Sequence, residues 1–265
     1  MTALRPTIGQ QLRAWRERCG LSQLDLALAA EVSARHLSFV ETGRAQPGRD
    51  LLLRLMAELQ VSLRERNLAL TAAGFAPVFP MRGYQDPSFE QIRAFINAAL
   101  ERQKPFPAYV LDRHWSVIAW NGAVPELSEG VSPALLAPPV NVFRLVLHPD
   151  GYGERLLNRG AWRARIVSRL RRQIRLSNDP TLIALLEEIS SYPDAGTASA
   201  AREDDGPTIP LQIVTSLGRL SFLSATTIFG NPVDVALEEI ALEMLYPADA
   251  ATDEAVRAAQ ASALR

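Results

Sequence analysis

The chain has 265 residues, of which 48% are hydrophobic, and a formal net charge of −1 at pH 7. This length is sufficient for two folded domains, the apolar fraction argues against a disordered chain, and the charge excludes a generally basic coat for nucleic acid. The single cysteine excludes a disulfide scaffold. Neither a signal peptide nor an apolar run of about 18 residues is present, so we expect a cytoplasmic protein without a membrane partner.

Residues 1–74 are predicted to form five helices. The first carries an apolar stripe and ends at Gly20, a residue suited to the left-handed conformation that follows many helices. The second and third lie between Gly20 and Gly43. Leucines at helical spacing within 51–59 predict the fourth, and a fifth ends at Gly74.

The second and third helices have the pattern of a helix-turn-helix. Ser22 and Ser33 can cap the two helices with their hydroxyl oxygens. Leu37 and Val40 can hold the third helix to the core, which leaves its outer face free. Two short helices joined by a tight turn, with one face of the second exposed, suit the major groove of DNA. Residues 20–43 therefore predict binding to double-stranded DNA.

This region resembles the Cro/phage-repressor, or XRE, family of helix-turn-helix domains. The residues that carry the resemblance are Leu21, Ser22, Gln23, Leu26, Ala27, Val32, Ser33, Leu37, Glu41 and Gly43. The resemblance implies that Gln23 and Ser33 lie near phosphates and that Ala34, Arg35 and Phe39 take the base-reading positions. It also implies an ion pair between Arg16 and Glu41.

The side chains on the outer face limit how bases can be read. Ala34 and Phe39 can contact a thymine methyl group but cannot form a hydrogen bond, so Arg35 is the main candidate for a guanine contact. Ser38 also faces outward, and His36 either contributes or points along the backbone. Arg44 follows in a loop where phosphate contacts are common. Because one recognition helix covers few base pairs, we expect a homodimer on a pseudo-palindromic operator.

Residues 75–87 contain three prolines and are predicted to link the helical domain to a second domain at 88–250, followed by a tail at 251–265. The elements expected after the linker are a helix at 89–103, a hairpin at 108–120, a helix or strand at 141–147, two helices near 162–174 and 181–189, a polar loop at 194–207, a hairpin at 209–229 and a closing helix at 235–245. This order predicts an α+β domain with an antiparallel sheet.

Motifs along the whole chain resemble bacterial XRE regulators with an MmyB-like ligand-binding domain. They include the segments 35–44, 63–67, 73–77, 120–121, 148–151 and 226–229. The hairpin at 109–121 also resembles the opening of a PAS-type sensor domain. The resemblance implies a PAS-like C-terminal domain with an apolar cavity for a fatty-acid-like ligand. The residues that either line this cavity or belong to an ordinary core are Tyr109, Trp120, Phe143, Leu147, Trp162, Phe222 and Phe229.

The remaining candidates for chemistry are weak. The three histidines and one cysteine lack metal-ligand spacing, and no catalytic motif is present. We therefore expect a protein that is not an enzyme, with no catalytic residue, metal or cofactor. Seven arginines between 159 and 175 are either a second contact for an anionic partner or the outer face of a helix.

The sequence thus predicts a regulator of transcription with a five-helix DNA-binding domain and a C-terminal domain that senses a small apolar molecule. The alternative is a DNA-binding regulator whose C-terminal domain recruits a protein partner. A buried apolar cavity favours the sensor, and a solid core with an exposed apolar patch favours the recruiter.

Overall fold

The computed structural model describes residues 7–124, 128–193 and 208–263. The chain divides into two compact units, one formed by residues up to 84 together with 230–238, and the other by 85–229 together with the residues from 239 onward. The polar loop expected at 194–207 lies outside the described residues.

The first unit confirms the expectation of a five-helix domain. Its helices are α1 (Ile8–Arg18), α2 (Gln23–Ala29), α3 (Ala34–Glu41), α4 (Arg49–Glu58) and α5 (Leu63–Ala72). Four of them begin at a hydroxyl side chain that accepts a backbone N–H, namely Thr7, Ser22, Ser33 and Ser62. These caps satisfy donors that a helix leaves unpaired, and they explain why short helices begin where they do.

The apolar faces of these helices meet in one core. Its fully buried members include Leu12, Leu26, Leu37, Leu52 and Leu55. Each helix is too short to be stable alone in water, so this shared core supplies most of its stability.

The start of the predicted linker is attached to α5. The side-chain oxygen of Asn67 accepts the N–H groups of Val78 and Phe79 at 3.0 and 3.1 Å, and its Nδ2 donates to the carbonyl oxygen of Phe79 at 2.7 Å. The prolines of this segment are therefore combined with side-chain hydrogen bonds that fix its course, and residues up to 84 belong to the first unit.

The second unit contains helices around an antiparallel sheet, as expected. After a short 3₁₀ turn at Pro87–Phe89, the elements in chain order are α6 (Glu90–Gln103), β1 (Ala108–Leu111), β2 (Val117–Trp120), α7 (Pro133–Leu136), α8 (Val142–Leu147), α9 (Arg159–Ser177), α10 (Pro180–Ser191), β3 (Leu211–Thr215) and β4 (Gly218–Ile228). Next come α11 (Val235–Glu238), which belongs to the first unit, β5 (Ala241–Pro247) and α12 (Ala250–Ala263). The segment 141–147, for which helix and strand were both open, is helical.

The five strands have the order β2-β1-β5-β4-β3, and every neighbouring pair is antiparallel. Both predicted hairpins are present as β1–β2 and β3–β4. Strand β5 lies in the centre, between β1 and β4, although it comes last in the chain.

The closing helix predicted at 235–245 is wrong. Only Val235–Glu238 is helical, and Ala241–Pro247 is the central strand. Alanine, leucine and glutamate favour a helix, but pairing on both sides of β5 overrides that local preference. The segment assigned to a C-terminal tail also has regular structure, because α12 covers most of it and buries Thr252 and Val256.

Residues 230–238 contact the first unit through backbone and side chain. The Val235 N–H donates to the carbonyl oxygen of Pro80 at 2.9 Å, and a carboxylate oxygen of Glu238 accepts the Leu63 N–H at 2.8 Å. Asp234 is 2% exposed, and its Oδ2 lies 3.4 Å from an Nη atom of Arg82. The connection between β4 and β5 is therefore part of the helical unit.

Candidate DNA-binding and ligand sites

The outer face of α3 carries the side chains assigned to base reading. Arg35 is exposed, whereas Ala34 and Phe39 are partly buried. The guanidinium carbon of Arg35 lies 5.4 Å from the centre of the Phe39 ring. This distance is within the range of a cation–π contact, which restricts where the guanidinium can move. The face therefore presents one long donor beside an apolar ring.

The other polar residues predicted to contact DNA lie around this face. Ser33 is exposed and uses its Oγ to accept the His36 N–H at 3.2 Å, which makes it the cap of α3. His36 and Ser38 are partly buried, and Arg44 is exposed in the loop after α3. These positions allow phosphate contacts at both ends of the recognition helix.

Arg16 and Glu41 form a two-point ion pair between α1 and the end of α3. Arg16 Nε lies 2.6 Å from Glu41 Oε1, and Arg16 Nη2 lies 2.9 Å from Glu41 Oε2. The two side chains are 9% and 1% exposed, respectively. Gln23, predicted to lie near a phosphate, donates its Nε2–H to Glu41 Oε2 at 2.8 Å. The ion pair therefore orients the Gln23 amide as well as the two helices.

The environment of Glu41 keeps it ionised. Burial by itself would raise the pKa of Glu41, but the hydrogen bonds from Arg16 and Gln23 and the charge of Arg16 together lower it below its ordinary value. The hydrogen bond to Glu41 in turn raises the pKa of Arg16. Both partners are charged at neutral pH, so neither is left as an uncompensated buried charge.

Helices α1 and α3 also meet through their backbones at Gly9. A Cβ atom at this position would lie 2.3 Å from the carbonyl oxygen of Val40 and 2.9 Å from that of Glu41. No side chain fits at either distance, so glycine permits the close approach of the two helices.

In the second unit, a row of side chains crosses one face of the sheet. Tyr109 of β1 is paired with Trp120 of β2 and with Glu243 of β5, and Glu243 is paired with Thr226 of β4. Directly opposed residues of antiparallel strands point to the same face. This row contributes to the walls of two adjoining cavities.

The first cavity, which we call the apolar chamber, has a volume of about 50 Å³. Its walls are Pro107, Tyr109, Val117, Trp120, Val124, Val142, Leu145, Val146, Tyr152, Leu211, Ile213, Phe222 and Leu245. The Tyr152 hydroxyl forms a 2.8 Å hydrogen bond with the hydroxyl of Ser128, and burial raises the pKa of Tyr152. The chamber is thus suited to hydrocarbon rather than to a polar molecule.

The second cavity, the polar chamber, has a volume of about 70 Å³. It shares five wall residues with the apolar chamber, namely Tyr109, Val142, Val146, Leu211 and Leu245. Its polar walls are Arg165, Arg169, Ser224, Thr226 and Glu243, and its aromatic walls include Trp115, Phe143 and Trp162. The shared walls make the two chambers neighbours.

Arg169 and Glu243 dominate the charge of the polar chamber. An Nη atom of Arg169 lies 4.0 Å from Glu243 Oε1, and its guanidinium carbon lies 4.1 Å from the centre of the Trp115 ring. Burial lowers the pKa of Arg169, and the charge of Glu243 opposes that shift. Glu243 is 5% exposed and accepts hydrogen bonds from the hydroxyls of Ser224 and Thr226, the latter at 2.8 Å.

Five of the seven residues predicted to line a ligand cavity lie around these chambers, and two do not. Tyr109, Trp120, Phe143, Trp162 and Phe222 are wall residues. Leu147 is 1% exposed and belongs to the core that includes α8, outside the walls of both chambers. Phe229 follows the last residue of β4, and its ring contacts that of Phe95 at 6.3 Å.

Sequence reasoning missed Arg169 and Glu243. Arg169 belongs to the arginine-rich segment, several members of which bind within the unit: Arg159 contacts Glu154 at 2.8 Å, and Arg163 donates to the carbonyl oxygen of Tyr192 at 2.8 Å. Glu243 lies in the segment mistaken for a helix. The alternation of buried residues in β5 would have been the signal for a strand.

Other features do not form a comparable site. A larger depression of about 480 Å³ lies at the surface of the second unit, between Pro105, Arg155, Ser216 and Val256, and contains none of the predicted ligand residues. Within the described residues, no group of three or more histidine, cysteine, aspartate or glutamate side chains is arranged to hold a metal ion. Nor does any helix in the described part of the chain combine the length and apolar composition of a membrane span.

Comparison with known proteins gives a match in each part of the chain. Residues 12–66 match the family described as helix-turn-helix. Residues 92–259 match the family described as MmyB-like transcription regulator ligand binding domain. No curated protein matches the chain.

Two solved structures are weakly similar. A SinR protein/SinI protein complex has 22% sequence identity and a TM-score of 0.21, with 36% of this chain and 81% of that chain covered. The structure of an RNA-binding Light-Oxygen-Voltage receptor has 13% identity and a TM-score of 0.28, with 99% of this chain and 70% of that chain covered. Neither score is high enough to carry an argument.

Proposed function

Because the chain belongs to the MmyB-like transcription regulators, we propose that it binds a specific DNA operator and that a small apolar ligand controls this binding. The chain is a DNA-binding transcription regulator with a helix-turn-helix domain and a ligand-binding domain. The finer proposals concern how DNA is read, which ligand binds and how its binding is transmitted.

For DNA, we propose that α3 enters the major groove. The exposed Arg35 is the base-reading donor, Ala34 and Phe39 provide apolar contacts, and Gln23, Ser33, His36, Ser38 and Arg44 complete the interface. A homodimer on a pseudo-palindromic operator would supply the specificity that one recognition helix lacks. Since its target is DNA, we place the protein in the cytoplasm, and we propose no catalytic activity.

For the ligand, the observation that carries the proposal is the apolar chamber next to the sheet. Its walls are almost entirely hydrocarbon, which favours a fatty-acid-like molecule within a PAS-like domain. Its volume of about 50 Å³ is small, so a long chain would bind only if the sheet and the surrounding helices moved apart. Such a requirement gives the ligand a preference for one conformation, which regulation needs.

For transmission, we propose that the linker 75–87 and the segment 230–238 carry the change to the DNA-binding helices. Residues 230–238 connect β4 to β5, the strands that contribute Thr226 and Glu243 to the polar chamber. The same segment donates to Pro80 within the linker through the Val235 N–H. A displacement of either strand would therefore act on the linker and on α5.

The test is the affinity of the full chain for its operator, selected from random DNA, with and without saturated fatty acids of eight to fourteen carbons. We expect at least one acid to bind and to change operator affinity several-fold. Binding without any change in operator affinity would contradict a sensory role. A protein captured by the second unit, with no acid bound, would favour recruitment of a protein partner instead.

A further inference from the structure

Two hydrogen-bond donors in the polar chamber have unused capacity. In the described part of the chain, no side-chain hydrogen bond is made by the Tyr109 hydroxyl or by the Arg169 guanidinium, whose nearest carboxylate oxygen lies 4.0 Å away. Both side chains line the polar chamber. A donor in such a partly dry site gains much from an acceptor, because water competes less for it.

Glu243 does not use this capacity. The hydroxyls of Ser224 and Thr226 donate to its two oxygens, so its carboxylate is stabilised without a hydrogen bond from Arg169. The face of Trp115, 4.1 Å from the guanidinium carbon, holds Arg169 from one side. A guanidinium fixed in this way has a planar array of N–H groups that matches a carboxylate at two points.

The Tyr109 hydroxyl is available on the same side. Tyr109 lies opposite Glu243 across strands β1 and β5, and it lines both chambers. Burial and the neighbouring charge of Glu243 raise its pKa well above the ordinary value, which keeps the hydroxyl protonated as a donor. Tyr109 therefore stands where the polar chamber meets the apolar one.

We propose that Arg169 and Tyr109 bind the carboxylate of an amphiphilic ligand whose hydrocarbon part occupies the apolar chamber. This inference rests on the proposed sensory function and adds the class of head group. Glu243 would repel a second carboxylate, but its charge is shared with the hydroxyls of Ser224 and Thr226 and balanced by Arg169. The small volume of the two chambers, about 50 and 70 Å³, favours a short acid such as octanoate.

The test compares octanoate with 1-octanol, which has the same chain and no charge, by calorimetry on the full protein. The wild type should bind octanoate at least about 10-fold more tightly, as a charge-assisted pair predicts. Arg169→Gln should abolish this preference and leave octanol affinity unchanged, and Arg169→Lys should retain part of it. Tyr109→Phe should weaken octanoate binding about 2- to 10-fold. The control is Arg171→Gln, an exposed arginine of the same helix.

The outcomes separate this inference from the function on which it rests. Equal or tighter binding of octanol by the wild type would overturn the carboxylate site and leave an apolar sensor standing. Failure of both probes, and of longer acids, would count against the sensor itself. If Arg169→Gln does not fold, the wild-type preference and the Arg169→Lys variant still decide the question.

Discussion

The guanidinium of Arg35 lies over the ring of Phe39, 5.4 Å from its centre and one helical turn earlier in α3. The contact joins the only long donor of the base-reading positions to the largest apolar side chain on the same face. Because the guanidinium is partly ordered before DNA binds, less conformational entropy is lost when it contacts a base.

Removal of this donor should relax specificity. Arg35→Ala should cost about 1–3 kcal/mol of binding free energy at one base pair of each half-site, because a bidentate guanine contact is lost. Binding is measured on the operator, on single-base variants and on random DNA at a fixed salt concentration. Equal losses on operator and random DNA would mean that Arg35 contacts phosphate only. Arg171→Ala in the second unit serves as the control for loss of charge.

Disruption of the buried ion pair should loosen the recognition helix. Glu41→Ala leaves Arg16 buried without its partner, so the first unit should lose about 3–5 kcal/mol. Hydrogen–deuterium exchange on the full chain should show faster exchange in α1 and α3 and unchanged exchange in α9 and α10. Arg13→Ala removes the exposed pair between Arg13 and Glu17 and should leave the exchange of α3 unaltered. Slow exchange of α3 in Glu41→Ala would contradict a stabilising role.

The same pair predicts a specific pH dependence. The folded protein lowers the pKa of Glu41 below its ordinary value of 4.5, so between the two values the unfolded chain binds more protons than the folded one. The stabilisation is complete above that ordinary value and is lost as the pH falls through the folded pKa. The difference in stability between wild type and Glu41→Gln should therefore shrink on acidification below about pH 4.5. A difference that is constant from pH 6 to pH 3 would contradict this linkage.

Dimerisation predicts the shape of the footprint. Two recognition helices related by a two-fold axis should protect two half-sites roughly 34 Å apart, or a multiple of this distance. Footprinting measures the spacing, and light scattering of the complex measures the number of chains bound. Protection of one half-site by one chain would exclude the proposed dimer.

The segment 230–238 should couple ligand binding to DNA binding. Asp234→Ala removes a buried carboxylate that contacts Arg82 and accepts the Ala236 N–H. The affinity for a fatty acid should remain, while the effect of that acid on operator affinity should decrease several-fold. Val233→Ala alters an exposed residue of the same segment and should leave the coupling intact. Full coupling in Asp234→Ala would show that the segment has no part in transmission.

The helical domain could be predicted from the sequence because its signals are local. Caps such as Ser22 and Ser33 and the glycine after α1 act within one or two turns, so neighbouring residues are enough to identify them. The Arg16–Glu41 contact spans 25 residues, and it could be expected only because the resemblance supplied it.

The sheet shows where local signals fail. Residues 241–247 have the composition of a helix, yet they form the central strand because β1 and β4 pair with both of their edges. That error concealed Glu243, and with it the row that joins Tyr109 to Thr226 across three strands. The polar chamber is built from strands and a helix that are distant in sequence, so no local pattern could reveal it.

The backbone contact at Gly9 has a consequence for how this protein can acquire new operators. Since α3 is seated on α1 through main-chain atoms and the Arg16–Glu41 pair, its placement does not depend on the residues of its outer face. Ala34, Arg35 and Phe39 can therefore be exchanged without changing the angle at which the helix is presented. Sequence preference and docking geometry are encoded by separate residues, so a duplicate of this regulator could diverge in target while it retains the same response to its ligand.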